Sequence, residues 1–208
     1  MKNPLVVGIV GGVASGKSEV TRHLQHLGAH VIHADAIGHE VLRETEVIDI
    51  LRNRFGDQIL KPDTGQIDRS KVAAIVFGEE PAAISNRTFL ESVTHPRIRE
   101  RIRASLNHAR ANPDLDMIVL DVPLLIESGW IDSCDRVVFV DSPLDMRRER
   151  AKQRGWSETQ FDAREASQVD IERKRDSATD CFDNSGSLSQ LRENIESWWN
   201  SIVPEHRS

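Results

Sequence analysis

Residues Gly11-Gly12-Val13-Ala14-Ser15-Gly16-Lys17-Ser18 set a lysine and a hydroxyl directly behind the second of two fixed glycines, in the order Gly, four residues, Gly-Lys-Ser/Thr. A loop of that composition can turn its backbone N–H groups toward one point and form an anion-binding nest where a helix begins. Lys17 then reaches the β- and γ-phosphates of a nucleoside triphosphate, and the Ser18 hydroxyl holds Mg²⁺. With glycine near 7% of residues, a chance match arises in on the order of one chain in a hundred. The flanks sharpen the signal. The apolar run Leu5 to Val10 precedes the loop, and Val20, Leu24 and Leu27 follow at helical spacing until Gly28.

A P-loop specifies a nucleoside triphosphate and leaves the reaction open. No guanine-reading Asn/Thr-Lys-x-Asp segment is present, and the nearest Asp-x-x-Gly, Asp183 to Gly186, falls late in the chain, which disfavours a switch GTPase. A chain of 208 residues is short for a motor or transporter ATPase and fits a small-molecule kinase. Such a kinase needs a base for the acceptor hydroxyl and positive charge around the transferred phosphoryl group. Ligands gather at the carboxyl ends of parallel strands. Asp35 follows the run His30 to Ala34 directly and reads as the base; Asp121, in the corresponding place on Met117 to Val122, reads as a Mg²⁺-water ligand. Each is equally an ordinary helix N-cap or turn residue. Arg147, Arg150 and Arg154 share a helix face by i, i+3, i+7 spacing. They read either as a mobile lid over the phosphates or as a solvated surface paired with Asp145 and Glu149. Arg97, Arg99, Arg101 and Arg103 are a further source of phosphate contacts, but their alternation covers two helix faces, so at least half of them face solvent.

The elements that must position these groups are legible in outline. Leu5 to Val10, His30 to Ala34, Met117 to Val122, Arg136 to Asp141 and Cys181 to Asp183 read as five strands, three of them unbroken Val/Ile/Leu runs of the kind buried on both faces. Strands alternating with helices predict a doubly wound α/β fold with a mostly parallel sheet. Between the second and third strands, Phe55-Gly56, Pro62 to Gly65 and Phe77-Gly78 punctuate a helical insert, and Pro96 should open a helix with Ile98, Ile102 and Leu106 on one face. Ser142-Pro143-Leu144-Asp145 predicts a helix capped by Ser142 with Pro143 at its first position, running to about Arg154. Ser157 to Gln160 and Ser187 to Gln190 offer capping boxes, and the last helix should bury Leu188, Leu191, Ile195, Trp198 and Ile202. The expected organisation is a single domain: a core of residues 1–35, 116–142 and 178–203, an acceptor-binding insert at 36–115 and a lid at 143–177.

Composition narrows the partners. Lys and Arg total 27 against 33 Asp and Glu, a formal charge of −6, which disfavours a sequence-independent grip on nucleic acid or an acidic membrane. No stretch approaches the roughly 20 apolar residues of a membrane span, and glycine interrupts the N-terminal apolar run at Gly8, unlike a signal peptide. A soluble cytoplasmic protein, a monomer or weak homo-oligomer, is expected. Cys134 and Cys181 are too few for a disulfide framework and read as buried thiols.

Taken in order, these motifs resemble dephospho-coenzyme A kinases over nearly the whole chain. The segments that carry the resemblance are Val10 to Ser18, Ala34-Asp35-Ala36-Ile37, Gly65 to Arg69 leading to Val76-Phe77, Thr94-His95-Pro96, Asp121-Val122-Pro123-Leu124-Leu125-Ile126-Glu127, Arg150 with Gln153-Arg154, Arg164 with Gln168, and Asp183 to Gly186. The resemblance implies a P-loop kinase fold with a helical acceptor-binding insert and a helical lid. It implies transfer of a phosphoryl group from Mg²⁺-ATP to the ribose 3′-hydroxyl of dephospho-CoA, the last step of coenzyme A synthesis. It makes Asp35, Lys17 and Arg150 catalytic and assigns ATP to Gly11 through Glu19 with Arg150 and Asn184. Asp35, His95, Leu124 and Glu127 fall to the acceptor, and Ser18 and Asp121 to the metal. His95 reads equally as a helix cap before a proline, and Leu124 and Glu127 as a blend of site wall and core. Glu19 stands where the family usually has threonine, Arg147 where glutamine is common, and Ala178-Thr179 where Ala-Asp is usual. A related nucleoside or nucleotide kinase, and a slowly hydrolysing regulatory module, are the competing readings.

Overall fold

The computed structural model describes residues 3–78 and 80–207. Two compact units divide the chain: residues up to His33 together with those from Leu106 onward, and Ala34–Ser105. The first unit holds the sheet. Its strands are β1 (Leu5–Gly11), β2 (His30–His33), β3 (Met117–Asp121), β4 (Arg136–Asp141) and β5 (Asp180–Asp183), in spatial order β2-β3-β1-β4-β5 with every pairing parallel. β1 is central and every residue in it is buried, which accounts for its lack of polar alternation. The register brings Gly11 beside Val140, His33 beside Asp121, and Asp141 beside Asp183, so the carboxyl ends share one rim.

The helices follow from the same local rules. α1 (Lys17–His26) begins inside the glycine-rich loop and ends at Leu27, with Gly28 in the left-handed region at φ 112°. Alternate residues Leu5, Val7 and Ile9 of β1 pack against Val20 and Leu24 of α1 and against Leu191, Ile195 and Ile202 of the last helix. Before that helix come α2 (Ala34–Val41), α3 (Thr45–Phe55), α4 (Arg69–Val76), α5 (Pro81–Arg110), α6 (Leu144–Gln153), α7 (Glu158–Ala166) and α8 (Ile171–Asp176); the last helix is α9 (Leu188–Arg207). Ser157 and Gln160 form a reciprocal capping box on α7, and Ser187 and Gln190 do the same for α9. The second unit, α2 to most of α5, has its own core around Val41, Val47, Leu51, Ile59, Val72 and Val93. Among the described residues, no helix is long and apolar enough to cross a membrane.

Four local expectations are corrected. Pro96 does not open a helix; it lies inside the 30-residue α5. A proline there removes one ladder bond and crowds the carbonyl four residues earlier. Side-chain donors appear at this point: Thr94 Oγ1 donates to Leu90 O (2.8 Å) and Arg97 Nη1 to Val93 O (3.1 Å). Phe89, Leu90 and Val93 before the proline and Ile98 after it pack into the same core, which carries the helix through. Ser142 does not cap α6; Pro143 takes the N-cap position, while the buried Ser142 hydroxyl donates to Asn184 O (3.3 Å) and accepts from Arg150 Nη1 (2.8 Å). Leu188, at the start of α9, is 46% exposed. Cys181 is exposed as well, because β5 is an edge strand on which Phe182 faces inward and its neighbours outward.

Candidate active site

The glycine-rich loop between β1 and α1 adopts a conformation that only its own residue types and their neighbours allow. Gly16 has φ 104°, and a Cβ there would strike the Asn184 amide; a Cβ on Gly12 would strike the Arg147 guanidinium. Ala14 holds φ 58°, a left-handed conformation strained for a non-glycine residue and found where a loop is over-determined by its surroundings. The amides of Ala14, Gly16, Lys17 and Ser18 have no partner among the described residues. Together with the positive end of α1, these form an anion nest.

The loop's carbonyls are bound instead. Lys17 Nζ donates to Gly11 O (2.9 Å) and Gly12 O (2.8 Å). Asn184 Nδ2 donates to Ser15 O (2.7 Å), and Arg150 Nη1 reaches the same oxygen at 3.3 Å while its Nη2 bonds Asn184 O at 2.9 Å. Arg150 and Asn184 therefore support the loop through its backbone. Arg147, which sequence spacing offered as a lid cation, is buried: it donates to Ser142 O and Val13 O and forms an ion pair with Glu165 at 2.7 Å. The other Glu165 oxygen accepts from the Val13 N–H at 2.9 Å, so one carboxylate joins α7 to both α6 and the loop.

Above the loop is a cleft of about 250 Å³, lined by Val13 to Ser18 and by Arg154, Trp156, Arg164 and Gln168. The Arg164 guanidinium lies over the Trp156 ring, 4.3 Å from its centroid. Two guanidinium groups and the nest thus face one space of phosphate-binding character. Lys17 has its pKa lowered to about 8, first by burial and then by the neighbouring cations Lys174 and Arg147, against the opposing pull of Glu165 and Asp121. Lys174 is itself buried, donates to Gln168 Oε1 (2.6 Å), and is shifted down mainly by burial.

Asp121 ends β3 and bonds His33 Nδ1 through Oδ2 at 2.9 Å. The Ser18 hydroxyl, in the first turn of α1, is exposed and has no partner among the described residues. Both are hard oxygen donors, and among the described residues no cluster of three or more His, Cys, Asp or Glu side chains could hold a metal by itself. That donor set fits Mg²⁺, which binds through one or two protein oxygens, retained waters and substrate phosphates. After β3, Leu125 is buried whereas Leu124 is 41% exposed, and Glu127 Oε1 accepts from the Val169 N–H at 2.7 Å. Asp35 and His95 belong to the other unit. Asp35 is exposed in the first turn of α2, and His95 is exposed in the middle of α5, so it caps nothing. Sequence reasoning missed His33, Glu165, Trp156 and Lys174. His33 could have been found as the strand-end residue aligned with Asp121, whereas Glu165 and Lys174 sit in charged runs that look like solvated helix surface.

Two outcomes follow. Glu165→Gln leaves the Arg147 cation buried without its carboxylate and lowers unfolding free energy by about 2 kcal/mol or more. Arg147→Gln added to it recovers part of the loss, as read by urea denaturation of the single and double variants. Because Lys17 is charged only below about 8, kcat/KM for the nucleotide is full at neutral pH and falls as pH rises through that value; Lys17→Arg removes the fall.

A family model for dephospho-CoA kinase matches residues 5–190. The chain is 34% identical over 198 residues to the dephospho-CoA kinase of Rhodopirellula baltica, covering 95% of this chain and 91% of that one. It is 37% identical over 200 residues to the dephospho-CoA kinase of Thermobifida fusca, covering 95% and 96%. Among solved structures, it resembles TT1252 from Thermus thermophilus with a TM-score of 0.76 at 31% identity, covering 97% of this chain and 99% of that one. For the dephospho-CoA kinase from Campylobacter jejuni the TM-score is 0.69 at 25% identity, covering 95% and 96%. A parallel α/β sheet carrying a phosphate nest, matched by this family along almost its whole length, identifies the chain as a kinase that belongs to the dephospho-CoA kinase family.

Proposed function

We propose that the protein transfers the γ-phosphoryl group of Mg²⁺-ATP to the ribose 3′-hydroxyl of dephospho-CoA, giving coenzyme A and ADP. The observation that carries this reading is the nest itself: four loop amides without partners among the described residues, held open by side chains that occupy the loop's carbonyls, in a chain of this family. Gly11 through Glu19 bind the donor, with the amides and Lys17 on its β- and γ-phosphates. Arg150 and Asn184 serve ATP binding from behind by fixing Ser15. Ser18 and Asp121 hold Mg²⁺, which when bound spreads the phosphate charge. Asp35 accepts the proton of the 3′-hydroxyl as its oxygen bonds to the γ-phosphorus and the bond from that phosphorus to the β–γ bridging oxygen breaks, releasing ADP. His95, Leu124 and Glu127 contribute to the acceptor's surroundings; the exposure of His95 and Leu124 leaves both free for that role. The protein works in the cytoplasm as a monomer or weak homo-oligomer, a setting with which its two free cysteines agree.

Positioning and electrostatics supply most of the rate in phosphoryl transfer. The direct test is ADP release with Mg²⁺-ATP in the presence and absence of dephospho-CoA, with adenosine, AMP and shikimate as control acceptors. Stimulation by dephospho-CoA alone, with a product heavier by one phosphate, is expected; nucleotide binding without stimulation by any acceptor points instead to a regulatory module. Asp35→Asn lowers kcat by about 10²-fold or more while ATP still binds. Lys17→Ala removes most turnover. Wild-type turnover in Asp35→Asn refutes the assignment of the base.

A further inference from the structure

Lys174 is a buried cation to which the transfer proposed above gives no role. It belongs to α8, which packs against β1, the strand that leads into the glycine-rich loop. A lysine ammonium has three protons to donate. One goes to Gln168 Oε1 at 2.6 Å; among the described residues Lys174 makes no other hydrogen bond and no ion pair. The carboxylates whose charge acts on it, Glu127, Glu165 and Asp170, are committed elsewhere. Glu165 bonds Arg147 and the Val13 N–H, Glu127 Oε1 accepts from the Val169 N–H at 2.7 Å, and Asp170 Oδ1 accepts from the Glu172 N–H at 2.8 Å as the cap of α8.

A buried ammonium without a paired anion is costly. Here a second one lies beside it. Lys17 and Lys174 line one narrow slot together with Gly11, and of the charged groups that act on Lys17, Lys174 lowers its pKa most. Arg147 acts on both lysines in the same direction. Cations gathered in this way repel one another until an anion enters among them. The position of the slot says which anion. On one side is the loop, and on the other are Pro123, Leu125 and Glu127 of the segment after β3. Gln168, to which Lys174 is bonded, lines the cleft above the loop. In a nest of this kind the amides cradle the α- and β-phosphates, and the loop lysine spans β and γ. The phosphate that meets Lys17 from the side of Gly11 and Glu127 is therefore the terminal one.

We infer that Lys174 is a catalytic residue whose ammonium contacts the γ-phosphoryl group of ATP and stays with it through transfer. The inference rests on the phosphoryl transfer proposed above and adds a cation from α8 to it. A proton that Gln168 does not hold bonds a non-bridging γ-oxygen. As the acceptor oxygen bonds to the γ-phosphorus and the bond from that phosphorus to the β–γ bridging oxygen breaks, Lys174 gives up no proton and remains an ammonium. Charge on the oxygens of the moving group calls for such compensation. Lysine, a compact point charge on a flexible stem, can follow a group that changes partners. ADP lacks the γ-group, so the contact separates triphosphate from diphosphate.

The test compares the wild-type chain with Lys174→Met, which keeps most of the stem and removes the charge, and with Lys174→Arg. Calorimetric titrations in Mg²⁺ use ADP and the ATP analogue with a methylene β–γ bridge. Lys174→Met should raise the Kd of the analogue about tenfold, as loss of a charged hydrogen bond does, and leave that of ADP within about twofold. Lys174→Arg should recover part of the analogue's affinity. Because Lys174→Met removes a buried charge that has no counter-ion, the nucleotide-free variant should unfold at the wild-type urea concentration or above it. Equal weakening of both nucleotides, or failure of Lys174→Met to fold, assigns Lys174 to the fold and overturns the inference. If wild type phosphorylates dephospho-CoA and Lys174→Met keeps the wild-type preference for the analogue over ADP, Lys174 does not touch the γ-group and the kinase reading stands. If no acceptor stimulates ADP release by wild type, yet Lys174→Met loses that preference, the contact stands and the acceptor reading falls.

Discussion

A phosphate nest works only if its N–H groups are kept away from the carbonyls of its own loop, and those carbonyls then need donors from elsewhere. In this protein Lys17 bonds Gly11 O and Gly12 O, Arg147 bonds Val13 O, and Asn184 and Arg150 share Ser15 O. Buried backbone acceptors left without partners are costly. The rest of the first unit is arranged around meeting that demand. β5 ends where Asn184 can reach the loop, and α6 runs so that Arg147 and Arg150 pass behind it. Gly12 and Gly16 lack side chains because these donors occupy the space.

The same donors connect the loop to the segments over the cleft. Glu165 bonds Arg147 and the Val13 amide at once, so α7 is attached to the loop by a pair with little exposure on the arginine side. Trp156 packs with Val13, Ala14, Ala151 and Phe161 and carries Arg164 on its ring. One of the cations that face the cleft, Arg164, thus rests on an apolar cluster. Removing one member of this arrangement affects both the loop and α7, because charge, hydrogen bonding and packing meet on the same few side chains.

Charge is distributed unevenly for the same functional reason. A chain with a formal charge of −6 has no general attraction for phosphate, so any phosphate it holds must be held by local concentrations of donors. The loop is one such place, where burial among other cations lowers the Lys17 pKa to about 8. In the second unit, by contrast, Arg97 and Arg101 are paired with glutamates.

The sequence by itself determined the features whose causes are local. Val/Ile/Leu runs marked β1, β3 and β4 within a residue, since a strand buried on both faces favours such a composition, and the shorter apolar segments of β2 and β5 were legible to the same precision. The glycine-lysine-serine spacing located the nest, and the Ser157 and Ser187 capping boxes formed where they were written. Tertiary structure decided the rest, because each remaining case depended on partners distant in the chain. Pro96 stayed inside α5 where apolar packing on both sides outweighed a lost bond, and Ser142 gave up a cap for partners at Asn184 and Arg150. Which arginines faced the cleft and which lay beneath the loop was equally beyond sequence spacing. Arg147, Arg150 and Arg154 share one helical face, and only the positions of Glu165, Asn184 and Ser15, 18 to 135 residues from the arginines they bond, sort them into supports and cleft lining.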